Sequence, residues 1–142
     1  MTNVQKLTNY PVYTKTTGDV CVSVYPIFLE NQSNPDDYHF VWAYHVKIEN
    51  HGDSIVQLRS RFWRIIDGLG RIQEVNGSGV VGEQPVLRPG ESFEYTSGAP
   101  LSTPSGVMEG HYLMESLTTG SEILVGIPSF SLDSPFEMGT VN

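Results

Sequence analysis

The segment 38–50, YHFVWAYHVKIEN, constrains the fold more than any other part of the sequence. Its large apolar side chains recur at every second position, with polar or small residues at most of the positions between them. The apolar set is Phe40, Trp42, Tyr44, Val46 and Ile48. Successive side chains of a β-strand point to opposite faces, whereas a helix with 3.6 residues per turn would scatter these five around its axis. The segment is therefore predicted to be a strand with one buried face.

Other segments of the chain carry strand-like patterns separated by glycine- and proline-containing turns. They are 19–29, 55–66, 71–75, 91–98, 107–117 and 122–132. No amphipathic helix pattern of 10 or more residues is present, so about seven antiparallel strands are predicted. This favours an all-β protein, an antiparallel β-sandwich of the fibronectin type III or immunoglobulin-like kind. The Cys…Trp…Cys spacing of a true immunoglobulin domain is absent, because Cys21 is the single cysteine.

The chain has the length of one domain, with 142 residues. Residues 1–17 are polar and lack a clear period, which predicts a loosely ordered N-terminal segment. The domain itself is predicted over 18–135, and 136–142 is predicted to be a C-terminal tail.

Charge and hydropathy exclude several classes of function. The net charge of −8 argues against a protein that binds nucleic acid or an anionic membrane surface. No apolar run approaches the roughly 18 residues of a membrane span. The start, MTNVQKLTNYPVYT, lacks the apolar core of a signal peptide, so a cytoplasmic location is expected. A single cysteine also excludes an internal disulfide and a multi-cysteine zinc site.

A glycine-rich segment, NGSGVVGEQPVLRPG at 76–90, contains the spacing of a dinucleotide-binding fingerprint at Gly77, Gly79 and Gly82. That fingerprint needs a helix after the loop, whose N-terminus faces the pyrophosphate. Pro85 follows three residues after Gly82 and leaves no length for a helix. The segment is therefore predicted to be a turn, and no nucleotide cofactor is expected.

The distribution of positive charge keeps a weaker anion-binding hypothesis open. All five arginines lie between residues 59 and 88, a stretch with a net charge of +2, while the rest of the chain carries −10. They are Arg59, Arg61, Arg64, Arg71 and Arg88. Glycine loops can turn backbone N–H groups toward a phosphate without any helix, and arginines suit the same partner. The candidate ligand-binding residues are Gly77, Gly79, Gly82 and Glu83. The alternative is that the arginines lie on a solvated sheet face and the glycines merely permit a tight turn.

Strict alternation along 55–66 divides that strand into two faces. One face is predicted to carry Val56, Leu58, Phe62 and Ile66. The other is predicted to carry Gln57, Arg59, Arg61 and Trp63. Exposed tryptophan and arginine are concentrated at binding surfaces. Arg59, Arg61, Trp63 and Arg64 are therefore the candidate interaction surface, and the alternative is that Trp63 completes a core layer.

No catalytic or metal site is predicted. His39 and His45 would be about 20 Å apart along one strand, too far to share an ion. Glu109 and His111 are two residues apart, about 7 Å, and would need further ligands from elsewhere. Cys21 lies between two valines, as a packed thiol does, and no Gly-x-Ser-x-Gly nucleophile elbow occurs.

Long motifs in the sequence are similar to those of the ApaG (CorD) family. The similarity covers 56–114, together with YHFVWAYHVKIENHGD at 38–53 and IPSFSLDSP at 127–135. Its most specific parts are Glu83-Gln84-Pro85 after Gly-Val-Val-Gly, then Pro89-Gly90, Tyr95-Thr96-Ser97-Gly98 and Thr103-Pro104-x-Gly106. With 19–29, the resemblance extends over nearly the whole chain.

The resemblance implies a fibronectin type III-like β-sandwich and supplies no catalytic residues. It also implies an association with cobalt tolerance and magnesium efflux in bacteria, and a role in protein recognition in eukaryotic relatives. The function expected is that of a non-enzymatic, cytoplasmic binding module whose partner is another protein. The alternative is a sensor that binds phosphate, pyrophosphate or a nucleotide at the glycine loop. Exposed edge strands would also allow a homodimer.

Overall fold

The computed structural model describes residues 11–136, and the regular structure there is almost entirely β-strand. In chain order the strands are β1 (Tyr13–Thr17), β2 (Val20–Phe28), β3 (Phe40–Asn50), β4 (Val56–Asp67), β5 (Ile72–Ser78), β6 (Val86–Leu87), β7 (Ser92–Leu101), β8 (Ser105–Ser116) and β9 (Glu122–Asp133). Two 3-10 turns, Glu30–Gln32 and Pro35–Asp37, lie between β2 and β3. No helix among the described residues is long and apolar enough to cross a membrane.

The strands form two antiparallel sheets. The four-stranded sheet has the order β1-β2-β3-β7, and the five-stranded sheet has the order β5-β4-β8-β9 with β6 paired to β4. The inner faces of the two sheets meet in one core, which confirms the antiparallel β-sandwich predicted from the sequence.

The core follows the alternation that the sequence shows in β3. Every second residue of this strand, from Phe40 to Asn50, is buried. The opposite sheet contributes Leu58 from β4, Tyr112 from β8 and Phe130 from β9. Burial of these large apolar side chains supplies most of the free energy that holds the sheets together.

Strand β1 departs from the sequence prediction. Residues 1–17 were expected to be loosely ordered, but 13–17 pair with β2. β1 also contacts β9 across the side of the sandwich, where the Gly126 N–H donates to the Thr17 hydroxyl at 3.0 Å. The prediction is therefore wrong for 13–17, because pairing partners supply the order that local sequence does not.

The remaining differences concern short elements. The sequence indicates seven strands, and the structure adds β1 and the two-residue β6. Residues 1–10 and 137–142 lie outside the described residues, so the expected character of those end segments stays a prediction, as do the domain boundaries.

Candidate functional site

A β-bulge in β4 decides which of the predicted surface residues reach the solvent. The pairing of β4 with β8 places Leu58 opposite Met114 but Ser60 opposite Leu113, which leaves Arg59 as an extra residue. One inserted residue reverses the face of every side chain that follows it in the strand.

Trp63 consequently lies in the core, so its interpretation as an exposed binding residue is wrong and the alternative, that it completes a core layer, is confirmed. Its exposed fraction is 3%. The indole ring makes edge-on contacts with Tyr44 and Phe130, at centroid distances of 5.2 and 6.0 Å. The neighbouring residue, Phe62, faces outward instead, although the alternation in the sequence predicts the reverse.

Arg61 is the second predicted surface residue that turns inward. Its Nη1 donates to the carbonyl oxygens of Ser78 and Gly79, at 3.1 and 2.9 Å. The guanidinium lies over Gly77, where a Cβ atom would come within 2.6 Å of Nη1. Arg61 thus ties β4 to the start of the glycine loop, and glycine at 77 makes the room that it needs.

Three core tyrosines lie within the electrostatic reach of Arg61. The hydroxyls of Tyr95 and Tyr112 are hydrogen-bonded to each other, and Tyr44 lies opposite Ser97 in the pairing of β3 with β7. Burial raises the pKa of all three tyrosines, and that of Tyr112 well above its ordinary value. The positive charge of Arg61 opposes this shift without overcoming it. The three hydroxyls therefore stay neutral and act as hydrogen-bonding groups.

These raised pKa values predict a loss of stability in alkali. Tyrosine in the unfolded chain ionises near pH 10, whereas folded Tyr95 and Tyr112 ionise only at higher pH. Their contribution to the free energy of unfolding is therefore constant below about pH 9 and is lost as the pH rises beyond about 10. Urea unfolding at a series of pH values measures the effect. A Tyr95→Phe/Tyr112→Phe double variant should show a shallower decline, and equal declines in the two proteins would contradict the prediction.

The glycine loop between β5 and β6 is a tight turn. The N–H of Gly79 donates to the Arg59 carbonyl, and Val80 and Glu83 exchange two backbone hydrogen bonds, all at 2.8 Å. Gly79 has a φ of 60°, and a Cβ atom there would overlap the carbonyl oxygen of Glu83. The chain then enters β6 without a helix, so the prediction of a turn in place of a dinucleotide-binding helix is confirmed.

The same geometry bears on anion binding at Gly77, Gly79, Gly82 and Glu83. The amides of Gly79, Val80 and Glu83 already donate to backbone carbonyls, so an anion could use them only if the turn opened. Space around Gly82 is open, since a Cβ atom added there would have no neighbouring atom within 4 Å. Anion binding at this loop stays a prediction.

The outer face of the five-stranded sheet brings together side chains that the sequence had not grouped. Phe62 of β4 and His111 of β8 lie directly opposite each other with stacked rings, at a centroid distance of 5.0 Å and an interplanar angle of 24°. Beside them, Arg64 reaches Glu74 at 2.9 Å and Glu109 at 3.6 Å. Arginine is thereby held between carboxylates on both neighbouring strands.

A second arginine lies farther along the same face, beyond the Ser60–Leu113 pair that follows Phe62 and His111 in the register. Arg59, the extra residue of the bulge, lies 2.7 Å from Glu115 through its Nη2 atom. Large aliphatic side chains are exposed toward the two ends of the same face, with Ile72 61% and Leu124 58% exposed. We name this surface, defined by Arg59, Phe62, Arg64 and His111, the outer-face site.

The outer-face site does not resemble a metal centre. Glu109 and His111 share a face, as their spacing predicts, but Glu109 is paired with Arg64. Within the described part of the chain, no three His, Cys, Asp or Glu residues are grouped so that they could hold a metal ion.

Sequence reasoning found Arg59 and Arg64 but missed Phe62 and His111. The stacked pair becomes visible only when β4 and β8 are aligned, and strict alternation assigns Phe62 to the core. A bulge carries no reliable signature in a single sequence, so the two aromatic residues of β4 were assigned to the wrong faces.

The fold and this surface define the class of protein: a small antiparallel β-sandwich domain, with aromatic residues and arginines on the outer face of one sheet. The ApaG domain model matches residues 30–116. Protein ApaG of Paramagnetospirillum magneticum is 57% identical over 131 residues, which cover 92% of this chain and 100% of that protein. Protein ApaG of Rhodospirillum centenum is 58% identical over 124 residues, 87% of this chain and 95% of its own.

A solved structure agrees with these relatives. The crystal structure of an ApaA protein from Bordetella pertussis has a TM-score of 0.80 and 48% identity, and covers 84% of this chain and 96% of its own. The chain belongs to the ApaG family.

Proposed function

We propose that the chain is a non-enzymatic, cytoplasmic binding module whose partner is another protein, and that the outer-face site is the surface that the partner contacts. The observation that carries the proposal is the stacked Phe62–His111 pair, on an open sheet face that also carries two arginine–glutamate ion pairs. Aromatic residues and arginine are enriched at protein interfaces, and they contribute most of the binding energy.

The ion pairs support this proposal through preorganisation. Arg59 is fixed by Glu115, and Arg64 is fixed between Glu74 and Glu109. A side chain already held in one rotamer loses less conformational entropy when a partner binds. The Arg64 pairs are exposed and the Arg59–Glu115 pair is partly exposed, so each contributes little to folding stability, and its ordering is better explained by binding than by the fold.

The proposal modifies the surface expected from the sequence. Arg59 and Arg64 are retained, while Arg61 and Trp63 are replaced by Phe62 and His111 because the bulge turns the former pair inward. The association with cobalt tolerance and magnesium efflux comes from the family resemblance. We propose that it acts through the protein partner, because the outer-face site offers no grouped metal ligands.

Partner capture with matched variants tests the proposal. The test variant is Arg59→Ala/Phe62→Ala/Arg64→Ala, and the control is Lys47→Ala/Glu49→Ala, an ion pair on the outer face of the other sheet. We expect the wild type and the control to capture the same proteins and the test variant to lose them. Purified captured partner should then shift the amide resonances of β4 and β8. Identical partner lists for all three proteins, with circular dichroism showing them folded, would overturn the proposal.

A second candidate function is a sensor for phosphate, pyrophosphate or a nucleotide at the glycine loop. It is favoured by the guanidinium of Arg61, which lies directly over Gly77 and bonds the loop through Nη1. Calorimetry with each of the three ligands tests it. Saturable heat that Arg61→Gln abolishes would support this function, and the absence of heat at millimolar ligand would remove it.

A further inference from the structure

A polar groove overlaps the outer-face site, with which it shares Phe62, Arg64 and His111, and extends toward strand β9. Its volume is about 290 Å³. The register between β8 and β9 shifts between Met108 and Gly110, next to the groove. The lining residues are Lys15, Phe62, Arg64, Glu109, Gly110, His111, Ile127 and Ser129.

Lys15 gives the groove a positive charge from the other sheet. Its side chain crosses β9 above Gly126, where a Cβ atom would come within 2.9 Å of Cε and 3.0 Å of Nζ. Gly126 lies directly opposite His111 in the β8–β9 register, so the ammonium group reaches the side of the imidazole that faces away from Phe62. Glycine at 126 is thus what allows the lysine to lie over the sheet.

The charge balance within the groove favours an anion. Lys15 forms no ion pair with any carboxylate of residues 11–136. Two cations, Lys15 and Arg64, and one carboxylate, Glu109, line the groove, while Glu74, which pairs with Arg64 at 2.9 Å, lies outside the lining. The ring nitrogens of His111 make no hydrogen bond within the same described range, so they remain available to a ligand. One uncompensated cation and a hydrogen-bonding imidazole therefore converge in a protein whose overall charge is −8.

We infer that this groove is an oxyanion-binding site that takes the carboxylate or phosphate group of a ligand, with Lys15 as the charged contact and His111 as the hydrogen-bonding contact. The inference rests on the proposed function in one respect: because the groove shares residues with the outer-face site, the anionic group would belong to the protein partner. Because the rest of the surface is acidic, the site suits a single anionic group better than a strongly acidic segment.

Nuclear magnetic resonance titration of the full chain tests the inference. The probes are inorganic phosphate and acetate, added separately at constant ionic strength. We expect at least one of them to produce saturable shifts in the amide resonances of Gly110, His111 and Gly126. The probe that saturates at the lower concentration identifies the preferred oxyanion.

Two lysine variants make the result specific. Lys15→Gln should weaken binding about fivefold, the order expected for loss of one partly exposed charge contact. Lys47→Gln, which removes a cation near Glu49 on the opposite face of the molecule, should leave the affinity unchanged. Linear shifts with both probes, equal affinity in Lys15→Gln, or saturable shifts confined to 76–83 would overturn the inference.

The outcome can be separated from that of the proposed function. The titration uses no protein partner, so it can fail while the partner capture succeeds. Conversely, saturable shifts at the groove with identical partner lists would support the oxyanion site and overturn the protein-binding module.

Discussion

Replacing Trp63 with alanine should lower the free energy of unfolding by about 3–5 kcal/mol, the range measured for large aromatic residues in protein cores. The ring is buried between Tyr44 and Phe130, and no neighbour is free to fill the space that it would leave. Urea unfolding followed by circular dichroism measures the change, since this signal does not depend on the tryptophan that is removed.

The adjacent aromatic residue provides the control. Phe62→Ala removes a smaller aromatic ring from the outer face of the same strand, where it contacts His111 and solvent. We expect this variant to lose about 1 kcal/mol of the free energy of unfolding, the value of one cross-strand side-chain pair. If the two variants were equally stable, or if Phe62→Ala were the less stable, Trp63 would not be the buried residue of the two, and the assignment of the bulge in β4 would be incorrect.

Gly110→Ala should be strongly destabilising, with a loss of about 3 kcal/mol in the free energy of unfolding. The added Cβ atom would overlap the carbonyl oxygen of Phe62 in the paired strand β4. Backbone atoms in a hydrogen-bonded ladder cannot move aside as a flexible side chain can, so β4 and β8 would have to separate locally. The midpoint of urea unfolding is the appropriate measurement.

Gly98→Ala is the matched control for this substitution. Gly98 also lies in a strand, β7, but a Cβ atom there would meet only the carbonyl oxygen of Trp42, at 3.6 Å. We expect its stability to lie within about 0.5 kcal/mol of the wild type. If both variants lost the same free energy of unfolding, the loss would come from replacing any glycine in a strand, and not from the overlap with the Phe62 carbonyl oxygen at position 110.

The fold could be predicted from the sequence because its strongest signals are local. The five alternating apolar residues from Phe40 to Ile48 are all buried, and the same holds for Val20, Val22 and Val24. Period-2 alternation needs no knowledge of partners, since each strand shows by itself which face is apolar. The proline after the glycine loop likewise excluded a helix without reference to any other strand.

The candidate site could be predicted only in part because it depends on pairing. Arg59 and Arg64 were found from their charge, but the position of each side chain depends on one extra residue in β4 that no turn or proline marks. Lys15 was missed for a similar reason. Its strand is polar and aperiodic, and it is ordered by pairing with the adjacent β2 and by contacts with β9, which is distant in the sequence.

The bulge at Arg59 has a consequence for how this strand can vary in length. Between Leu58 and Trp63 the number of residues, more than their identity, determines which aromatic ring is buried and which faces outward. Deletion of one residue there would place the Trp63 indole on the surface and the Phe62 ring in the core. The Phe62–His111 stack would then be lost from the outer face. The packing of the core and the composition of the outer face thus both depend on the number of residues in this part of β4.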